Sequence, residues 1–280
     1  MSAQLRGLEG LNVFITGAAK GQGFNHAKAF ADAGANVALL DITEPIPNVY
    51  DLADQAMLDA AVADVQSRGV KAIALPCDLR DEDQVKDATA KALEFFGGRV
   101  DVIVNNAGVA ALDTIQDMRS DVLDAVIDTV LKGHMYVVKY LVPNMIERQS
   151  GKIINITSGV TGAGTSNLSH YVAAKYALNG LIAAWAFELG EFNINVNGIA
   201  PATIRPGLGQ GSGMVVGLAK QLGMDMDEAY EKFSSETNMP GKKWRAEMQD
   251  ITDAVLFLAS ENADMITGVL LPVDCGQAAR

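Results

Sequence analysis

The stretch VFITGAAKGQGFNHAKAF, residues 13–30, decides the fold of this chain. An apolar run ends in a turn that carries Gly17, Gly21 and Gly23, and the chain then continues with apolar residues at helical spacing. Glycines permit a tight turn and a close backbone approach, while the following helix offers free N–H groups and its positive dipole end to a phosphate. The unit predicts a strand, a dinucleotide-binding turn and a helix; a glycine-rich turn without a ligand is the simpler alternative.

Outward from this unit, short apolar runs alternate with stretches of helical periodicity such as residues 24–35 and 81–97. Continuously apolar strands are typical of sheets that helices cover on both faces. The alternation predicts one α/β domain over residues 1–280 with a doubly wound, seven-stranded parallel sheet. The predicted strands are NVFIT (12–16), NVALLD (36–41), KAIALPCD (71–78), VDVIVNNA (100–107), GKIINITS (151–158), INVNGIAP (194–201) and GVLLPVD (268–274).

Residues 205–248 interrupt this alternation. The segment is rich in glycine, methionine and charged residues, and it contains a stretch with helical spacing, DEAYEKFSSE (227–236). We expect it to form a flexible flap that covers a substrate at the carboxyl edge of the sheet, because ligands of open α/β sheets bind at that edge.

The composition excludes several classes of function. With 49% hydrophobic and 20% charged residues, the chain is typical of a globular protein with a large core. Its net charge of −12 argues against nucleic acid or an anionic membrane as a partner. The sequence lacks a run long enough for a transmembrane helix, and its N-terminus lacks the apolar run of a signal peptide. Two distant cysteines, Cys77 and Cys275, without metal-type spacing indicate a reduced, cytoplasmic protein with no catalytic metal.

Asp41 bears on the choice of cofactor. It ends the second predicted strand, where a carboxylate can accept hydrogen bonds from the adenosine ribose and would repel a 2′-phosphate. Lys20, in the glycine turn, is a cation that could serve such a phosphate. Since no arginine or lysine follows Asp41 in DITEPIP (41–47), we expect NAD and not NADP.

The motifs of the chain resemble those of the short-chain dehydrogenase/reductase family over nearly its whole length. They occur in the family's order and at its spacings, and the resemblance implies a Rossmann-type fold. The matching segments are TGAAKGQG (16–23), CDL (77–79), NNAG (105–108), Ser158 thirteen residues before Tyr171, and YVAAK (171–175).

The resemblance also implies which residues form the site. The catalytic residues would be Ser158, Tyr171 and Lys175. The residues implied to bind NAD are Gly17, Lys20, Gly21, Gln22, Gly23, Asp41, Ile42, Asp78, Leu79, Asn105, Ala107, Gly108, Val130, Tyr171, Lys175, Pro201 and Ile204.

Tyr171 and Lys175 lie four residues apart, on one face of a predicted helix. An exposed helix face is the simpler reading of the pair alone. Ionising a phenol at neutral pH costs about 4 kcal/mol, and a cation about 4 Å away at an effective dielectric of about 20 supplies about 4 kcal/mol. We therefore expect Lys175 to make Tyr171 a usable acid/base and Ser158 to hydrogen-bond the substrate oxygen, with Thr157 as the rival hydroxyl.

Three positions depart from the family pattern. Val130, in DTVLKG (128–133), stands where the family places an asparagine that supports a proton relay from the lysine. The relay is then either rearranged, for example through the Val130 carbonyl, or impaired. In APATIRPG (200–207), Ala202 and Pro206 replace a glycine and a threonine, while the Ile204 backbone remains available to the cofactor. Cys275 replaces another glycine and is interpreted as a packing residue.

The histidines are not expected to be catalytic. His26 should lie at the surface of the first helix, and His134 should be packed. His170 adjoins Tyr171, but one residue along a helix turns the side chain about 100° aside.

The connection between Asp41 and Asp78 is longer than in most family members, with the surplus near residues 43–54. Here the chain resembles the carveol-dehydrogenase-like subgroup, often linked to the redox peptide mycofactocin, in which an insertion packs over the cofactor. A surface loop without contact to the ligand is the alternative, because loops tolerate lengthening at little thermodynamic cost.

These features predict an NAD-dependent oxidoreductase that interconverts a hydrophobic secondary alcohol, cyclic or terpenoid, and its ketone. The alternative is a catalytically weak NAD-binding sensor or structural subunit. Apolar residues on more than one face of segments 120–147 and 170–190 predict a subunit interface, and the resemblance implies a homotetramer.

Overall fold

A computed structural model describes residues 5–204, 214–229 and 246–276 of the chain. Within these ranges the seven predicted strands form one parallel sheet in the order β3-β2-β1-β4-β5-β6-β7, which confirms the predicted doubly wound α/β fold. The strands are β1 (Asn12–Thr16), β2 (Asn36–Asp41), β3 (Ala72–Pro76), β4 (Val102–Asn105), β5 (Gly151–Ile156), β6 (Ile194–Pro201) and β7 (Leu270–Val273).

Helices connect the strands and cover both faces of the sheet. A six-residue π-helical turn, Asp128–Gly133, separates two of them, and 3-10 turns follow at Gly190–Phe192 and Glu261–Ala263. The α-helices are α1 (Gly21–Asp32), α2 (Gln55–Gln66), α3 (Glu82–Phe95), α4 (Ser120–Ile127), α5 (His134–Arg148), α6 (Val160–Ala163), α7 (Ser169–Leu189), α8 (Met214–Leu222) and α9 (Met248–Ala259).

Strand β1 shows why the sheet is apolar throughout. All five of its residues are buried. Val13 and Ile15 point into the core formed with α1, α2 and α9, whereas Phe14 points into the opposite core, formed with α3, α5 and α7. The three central side chains of the strand therefore each meet a helical layer.

The order of the strands reverses at β1, which pairs with β2 on one side and with β4 on the other. Such a switch point opens a crevice at the carboxyl ends of the strands. Three strands end earlier than predicted there, because residues 77–78, 106–107 and 157–158 leave the sheet and line a cavity in this crevice.

Two other expectations are corrected or limited by the structure. His26 is fully buried, and its Nδ1 lies 2.7 Å from the Thr252 hydroxyl on α9, so the predicted surface position is wrong. In the predicted flap, α8 and a helical stretch at 226–229 are described, whereas 205–213 and 230–245 lie outside the described residues. Among the described helices, none has both the length and the apolar character to cross a membrane.

Candidate active site

The glycine turn lies tightly against the turn that follows β4. Gly17 has a φ of +68°, and a Cβ added there would lie 2.8 Å from the Ala107 Cα. A Cβ on Gly23, at the start of α1, would overlap the carbonyl oxygen of Gly17. Any larger residue would push the loop away from the N-terminus of α1, so the two glycines are needed to form this cradle.

Asp41 lies at the end of β2, next to this cradle. Its carboxylate accepts backbone N–H groups from Ala19 at 2.8 Å and from Ile42 at 2.9 Å. Burial raises the pKa of Asp41 to about 6, although the two backbone hydrogen bonds and the Lys20 charge lower it. The carboxylate is thus fixed in position, as its predicted ribose-binding role requires.

The segment after β3 forms a third side of the cavity. Cys77, Asp78 and Leu79 all line it, and the Asp78 carboxylate is held by Arg80 at 2.6 Å. Burial raises the pKa of the Cys77 thiol to about 12, which makes the thiolate scarce at neutral pH. Gly133 packs against Leu79, so the π-helical turn closes this side.

The turn after β4 corrects one predicted cofactor contact. The Asn105 side chain is fully buried and donates from Nδ2 to the Asn155 side-chain oxygen at 2.9 Å, so it joins β4 to β5 away from the cavity. Asn106, which was not predicted, lines the cavity together with Ala107 and Gly108. Asn105 is the last residue of β4, and its side chain is buried against β5, whereas Asn106 is the first residue after the strand.

Ser158, Tyr171 and Lys175 come together at the cavity. Ser158 follows β5, while α7 presents both other side chains. The Ser158 hydroxyl faces the Tyr171 phenol and lowers its pKa, and the Lys175 Nζ lies 5.6 Å from the centre of the tyrosine ring. The Lys175 Nζ donates to the Ile156 carbonyl oxygen at 2.7 Å, which fixes the side chain against β5.

The electrostatics of this trio differ from the expectation. Burial raises the pKa of Tyr171 to about 12, even though the neighbouring Ser158 hydroxyl lowers it. Burial also lowers the pKa of Lys175 to about 7. In the protein without its cofactor, desolvation therefore sets the direction of both pKa shifts. That Lys175 lowers the pKa of the phenol stays a prediction for the protein with NAD bound.

Ser158 is the better candidate of the two hydroxyls at the end of β5. The Thr157 hydroxyl is buried and donates to the Ile199 carbonyl oxygen on β6 at 3.1 Å, so it serves the sheet. Ser158 faces Tyr171 instead. This contact supports its predicted role in holding the substrate oxygen.

Val130 lies near the trio but does not line the cavity. A Cβ placed on Gly108 would lie 3.8 Å from the Val130 Cγ2 and 3.7 Å from the Lys175 Nζ. Val130 is fully buried, whereas its neighbour Thr129 does line the cavity. The structure thus places an apolar side chain in this position and does not support a direct cofactor contact from the Val130 side chain.

The insertion after β2 forms part of the cavity wall. Ile46, Tyr50, Leu52 and Ala53 line it, and the Tyr50 hydroxyl donates to the Gly108 carbonyl oxygen at 2.9 Å. The Lys20 Nζ donates to the Asp51 carbonyl oxygen at 2.6 Å, which ties the insertion to the glycine turn. The alternative of a surface loop without contact to the site is wrong.

The remaining wall is apolar. The cavity has a volume of about 320 Å³ and extends from the glycine turn to α7 and α8. Its apolar lining on this side comes from the chain after β4, from the segment between β5 and α7, and from the predicted flap, 205–248. These residues are Val109, Val160, Leu168, Met214, Val215, Leu218 and Met248.

His170 and the possible metal ligands lie apart from this chemistry. His170 is buried beside Asp113, which pairs with Arg119 at 2.7 Å, and it does not line the cavity. Across the described ranges, no cluster of histidine, cysteine and acidic side chains could hold a metal ion.

The residues of the crevice fit a dinucleotide. The glycine cradle leaves room for a pyrophosphate at the start of α1, and the Asp41 carboxylate lies at the end of the neighbouring strand. Gln22, in the first turn of α1, lines the cavity and has a buried side-chain oxygen without a hydrogen bond among the described residues. Pro201 and Ile204 line the opposite side, as predicted.

Comparison with known proteins agrees with this geometry. Residues 11–213 match the family model described as short chain dehydrogenase. The chain is 34% identical over 272 residues to a (−)-trans-carveol dehydrogenase from Rhodococcus erythropolis, covering 96% of this chain and 98% of that protein.

Two solved structures are similar over almost the whole chain. The carveol dehydrogenase from Mycobacterium avium in complex with NAD has a TM-score of 0.88 at 30% identity, covering 99% of this chain and 100% of that one. A short chain dehydrogenase from Mycobacterium paratuberculosis bound to NAD has a TM-score of 0.86 at 33% identity, covering 98% and 99%. The fold, the glycine cradle and these matches together establish that the chain belongs to the short-chain dehydrogenase family.

Proposed function

We propose that this NAD-dependent oxidoreductase interconverts a hydrophobic cyclic secondary alcohol and its ketone, with Ser158, Tyr171 and Lys175 as the catalytic residues. The placement of Ser158 and Tyr171 side by side at one cavity carries the proposal, because it brings their two hydroxyls together there. A substrate oxygen that contacted both would be positioned for proton transfer.

Each side chain has a separate role in this proposal. Ser158 hydrogen-bonds the substrate oxygen and stabilises its developing negative charge. In alcohol oxidation the Tyr171 oxygen takes the hydroxyl proton, and in ketone reduction it returns that proton. The bound nicotinamide supplies the hydride chemistry.

Lys175 lowers the free energy needed to ionise the Tyr171 phenol. Its fixed Nζ, held by Ile156, directs a charge towards the phenol only when the amine is protonated. Burial lowers the pKa of Lys175 towards neutrality, so the uncharged amine becomes accessible near neutral pH in the protein without cofactor.

The apolar wall supports the substrate class. Val109, Val160, Leu168 and Met214 offer hydrocarbon contacts in the cavity that Ser158 and Tyr171 also line. A small cyclic alcohol presents one hydroxyl and an apolar body, which matches this distribution. The similarity to two carveol dehydrogenases supports the same class.

A panel of cyclic and linear secondary alcohols tests the proposal, with NADH formation and an artificial electron acceptor as parallel readouts. We expect turnover of apolar cyclic alcohols and none of charged polyols. If NAD raises the melting temperature but no alcohol reduces the bound cofactor, the sensor alternative is favoured.

A further inference from the structure

His134, the first residue of α5, is fully buried and has no part in the proposed reaction. Its Nε2 lies 3.4 Å from the Oγ1 of Thr16. Thr16 is the last residue of β1 and directly precedes the glycine turn. The imidazole therefore contacts the strand end from which the NAD cradle begins.

Thr16 joins two walls of the cavity. Its Oγ1 accepts the backbone N–H groups of Asn106 at 2.9 Å and Ala107 at 3.0 Å. In return, the Asn106 side chain donates to the carbonyl oxygens of Thr16 at 2.9 Å and Gly17 at 3.1 Å. The orientation of one hydroxyl thus decides how the glycine turn and the turn after β4 fit together.

The hydrogen of this hydroxyl needs an acceptor. A threonine hydroxyl has two lone pairs and one hydrogen, and the two backbone N–H groups already use the lone pairs. The hydrogen can go to the His134 Nε2 at 3.4 Å or to the Val104 carbonyl oxygen at 3.5 Å. A neutral imidazole accepts at Nε2 only when its own proton is on Nδ1.

The surroundings of the ring favour this tautomer. Burial, together with the Lys175 charge, lowers the pKa of His134 to about 3, so the ring is neutral at physiological pH. The Val130 backbone raises that pKa, as expected for a carbonyl that faces a ring N–H. Nδ1 makes no hydrogen bond of standard geometry within the described residues, and the His134 backbone N–H bonds the Leu131 carbonyl.

We propose that His134 is a positioning residue for the NAD cradle: as its Nδ1–H tautomer it accepts the Thr16 hydroxyl hydrogen at Nε2 and turns the lone pairs of Thr16 towards Asn106 and Ala107. A hydroxyl that donates to an imidazole is also a stronger acceptor for the two N–H groups. The inference rests on the NAD site and not on the alcohol substrate.

The position of Val130 agrees with this arrangement. Val130 and His134 are four residues apart, so they share one face of this helical region. On that face the polar side chain is His134, one turn after Val130, and its ring faces β1 instead of the cavity.

Two matched substitutions separate the roles of the ring nitrogens. Glutamine places an oxygen near the position of Nε2, whereas the shorter asparagine reaches only the position of Nδ1. We expect His134→Gln to keep the dissociation constant for NAD within about twofold and His134→Asn to raise it about tenfold, the loss of one buried hydrogen bond. Equal dissociation constants for the two variants would overturn the proposal.

A measurement on the unmodified protein removes the dependence on variant folding. ¹⁵N NMR of histidine-labelled protein near neutral pH should show a protonated Nδ1 and an unprotonated Nε2 for His134. The opposite tautomer would also overturn the proposal. Both readouts are independent of alcohol turnover, so a failure of the proposed substrate class would leave them unchanged.

Discussion

The Tyr50 hydroxyl donates a 2.9 Å hydrogen bond to the Gly108 carbonyl oxygen, and this bond fixes the insertion after β2 to the turn after β4. The same ring packs against Gly217 of α8, where any side chain would overlap it. One side chain thus contacts a wall of the NAD cavity and the helix at its proposed substrate end.

We predict that NAD co-purifies with the protein and exchanges slowly, because buried contacts act mainly on the rate of release. Tyr50→Phe should speed NAD release by up to about tenfold by removing one hydrogen bond, and Tyr50→Ala should speed it further by opening the wall. NAD released per chain on denaturation, and the rate of exchange with labelled NAD, are the measurements. A wild-type site that is empty on purification and reduces added NAD rapidly would contradict the prediction.

A second prediction concerns Tyr171. Tyr171→Phe should lower turnover at least about a hundredfold while NAD affinity stays nearly unchanged, since only the proton-transfer group is lost. Tyr176→Phe is the matched control, because Tyr176 lies on the same helix with 48% of its surface exposed and outside the cavity. Turnover of Tyr171→Phe within a few-fold of wild type would remove Tyr171 as the acid/base.

The sequence predicts the fold well because the pattern that encodes it is local. Continuous apolar runs such as residues 12–16 and 36–41 became strands with the predicted bounds. The ends of other strands were misplaced because residues such as Asn106 continue the β-like pattern of the sequence while the backbone leaves the sheet. His26 lies one turn before the buried Phe30, a spacing that indicates a shared buried face.

The candidate site was predictable only where a motif fixes the geometry. The spacing of Tyr171 and Lys175 gives their proximity but not the desolvation that moves both pKa values. Tyr50 and Ile46 belong to an irregular segment, and periodicity does not indicate which of its side chains turn inwards. The sequence signal for this contact was the presence of apolar residues in an otherwise polar, proline-containing insertion.

We expect the buried Lys175 to lower the free energy of unfolding, although the proposed reaction needs it. Its folded pKa of about 7 is below the usual value of 10.5, so its destabilising effect is complete below pH 7 and fades towards pH 10.5. Lys175→Met should therefore raise the melting temperature without cofactor, more at pH 6 than at pH 9, and abolish turnover. The lost hydrogen bond to Ile156 opposes this gain at every pH. Thermal unfolding that shows no pH-dependent gain would contradict the assigned burial effect.

The assembly prediction rests on exposed apolar side chains. Phe187 on α7 is 92% exposed and Met265 is 96% exposed, and an apolar groove lies between α5 and α7. Such surface is typical of a subunit interface, so we expect a homotetramer by light scattering at micromolar concentration. Phe187→Glu should dissociate it, whereas Met57→Glu, at a partly exposed position on α2, should not. A monomeric mass for the wild type would rule this out.

The last prediction concerns Asp41, whose pKa of about 6 is above the usual carboxyl value of 3.8 because the group is buried. A ribose hydroxyl that donates to Asp41 favours the ionised form, so NAD binding should release a proton near pH 6 and weaken as the pH falls below 6, by up to about tenfold per pH unit. The stability of the protein without NAD depends on pH in the opposite direction. Because the pKa of Asp41 is raised in the folded state, the free energy of unfolding decreases as the pH rises from about 4 to 6. Asp41→Asn should make NAD affinity independent of pH in this window and reduce the preference for NAD over NADP, since no charge remains to repel a 2′-phosphate. Titration calorimetry with both nucleotides at several pH values measures these effects, and a wild-type protein that binds NADP more tightly than NAD would show that Asp41 does not select the cofactor.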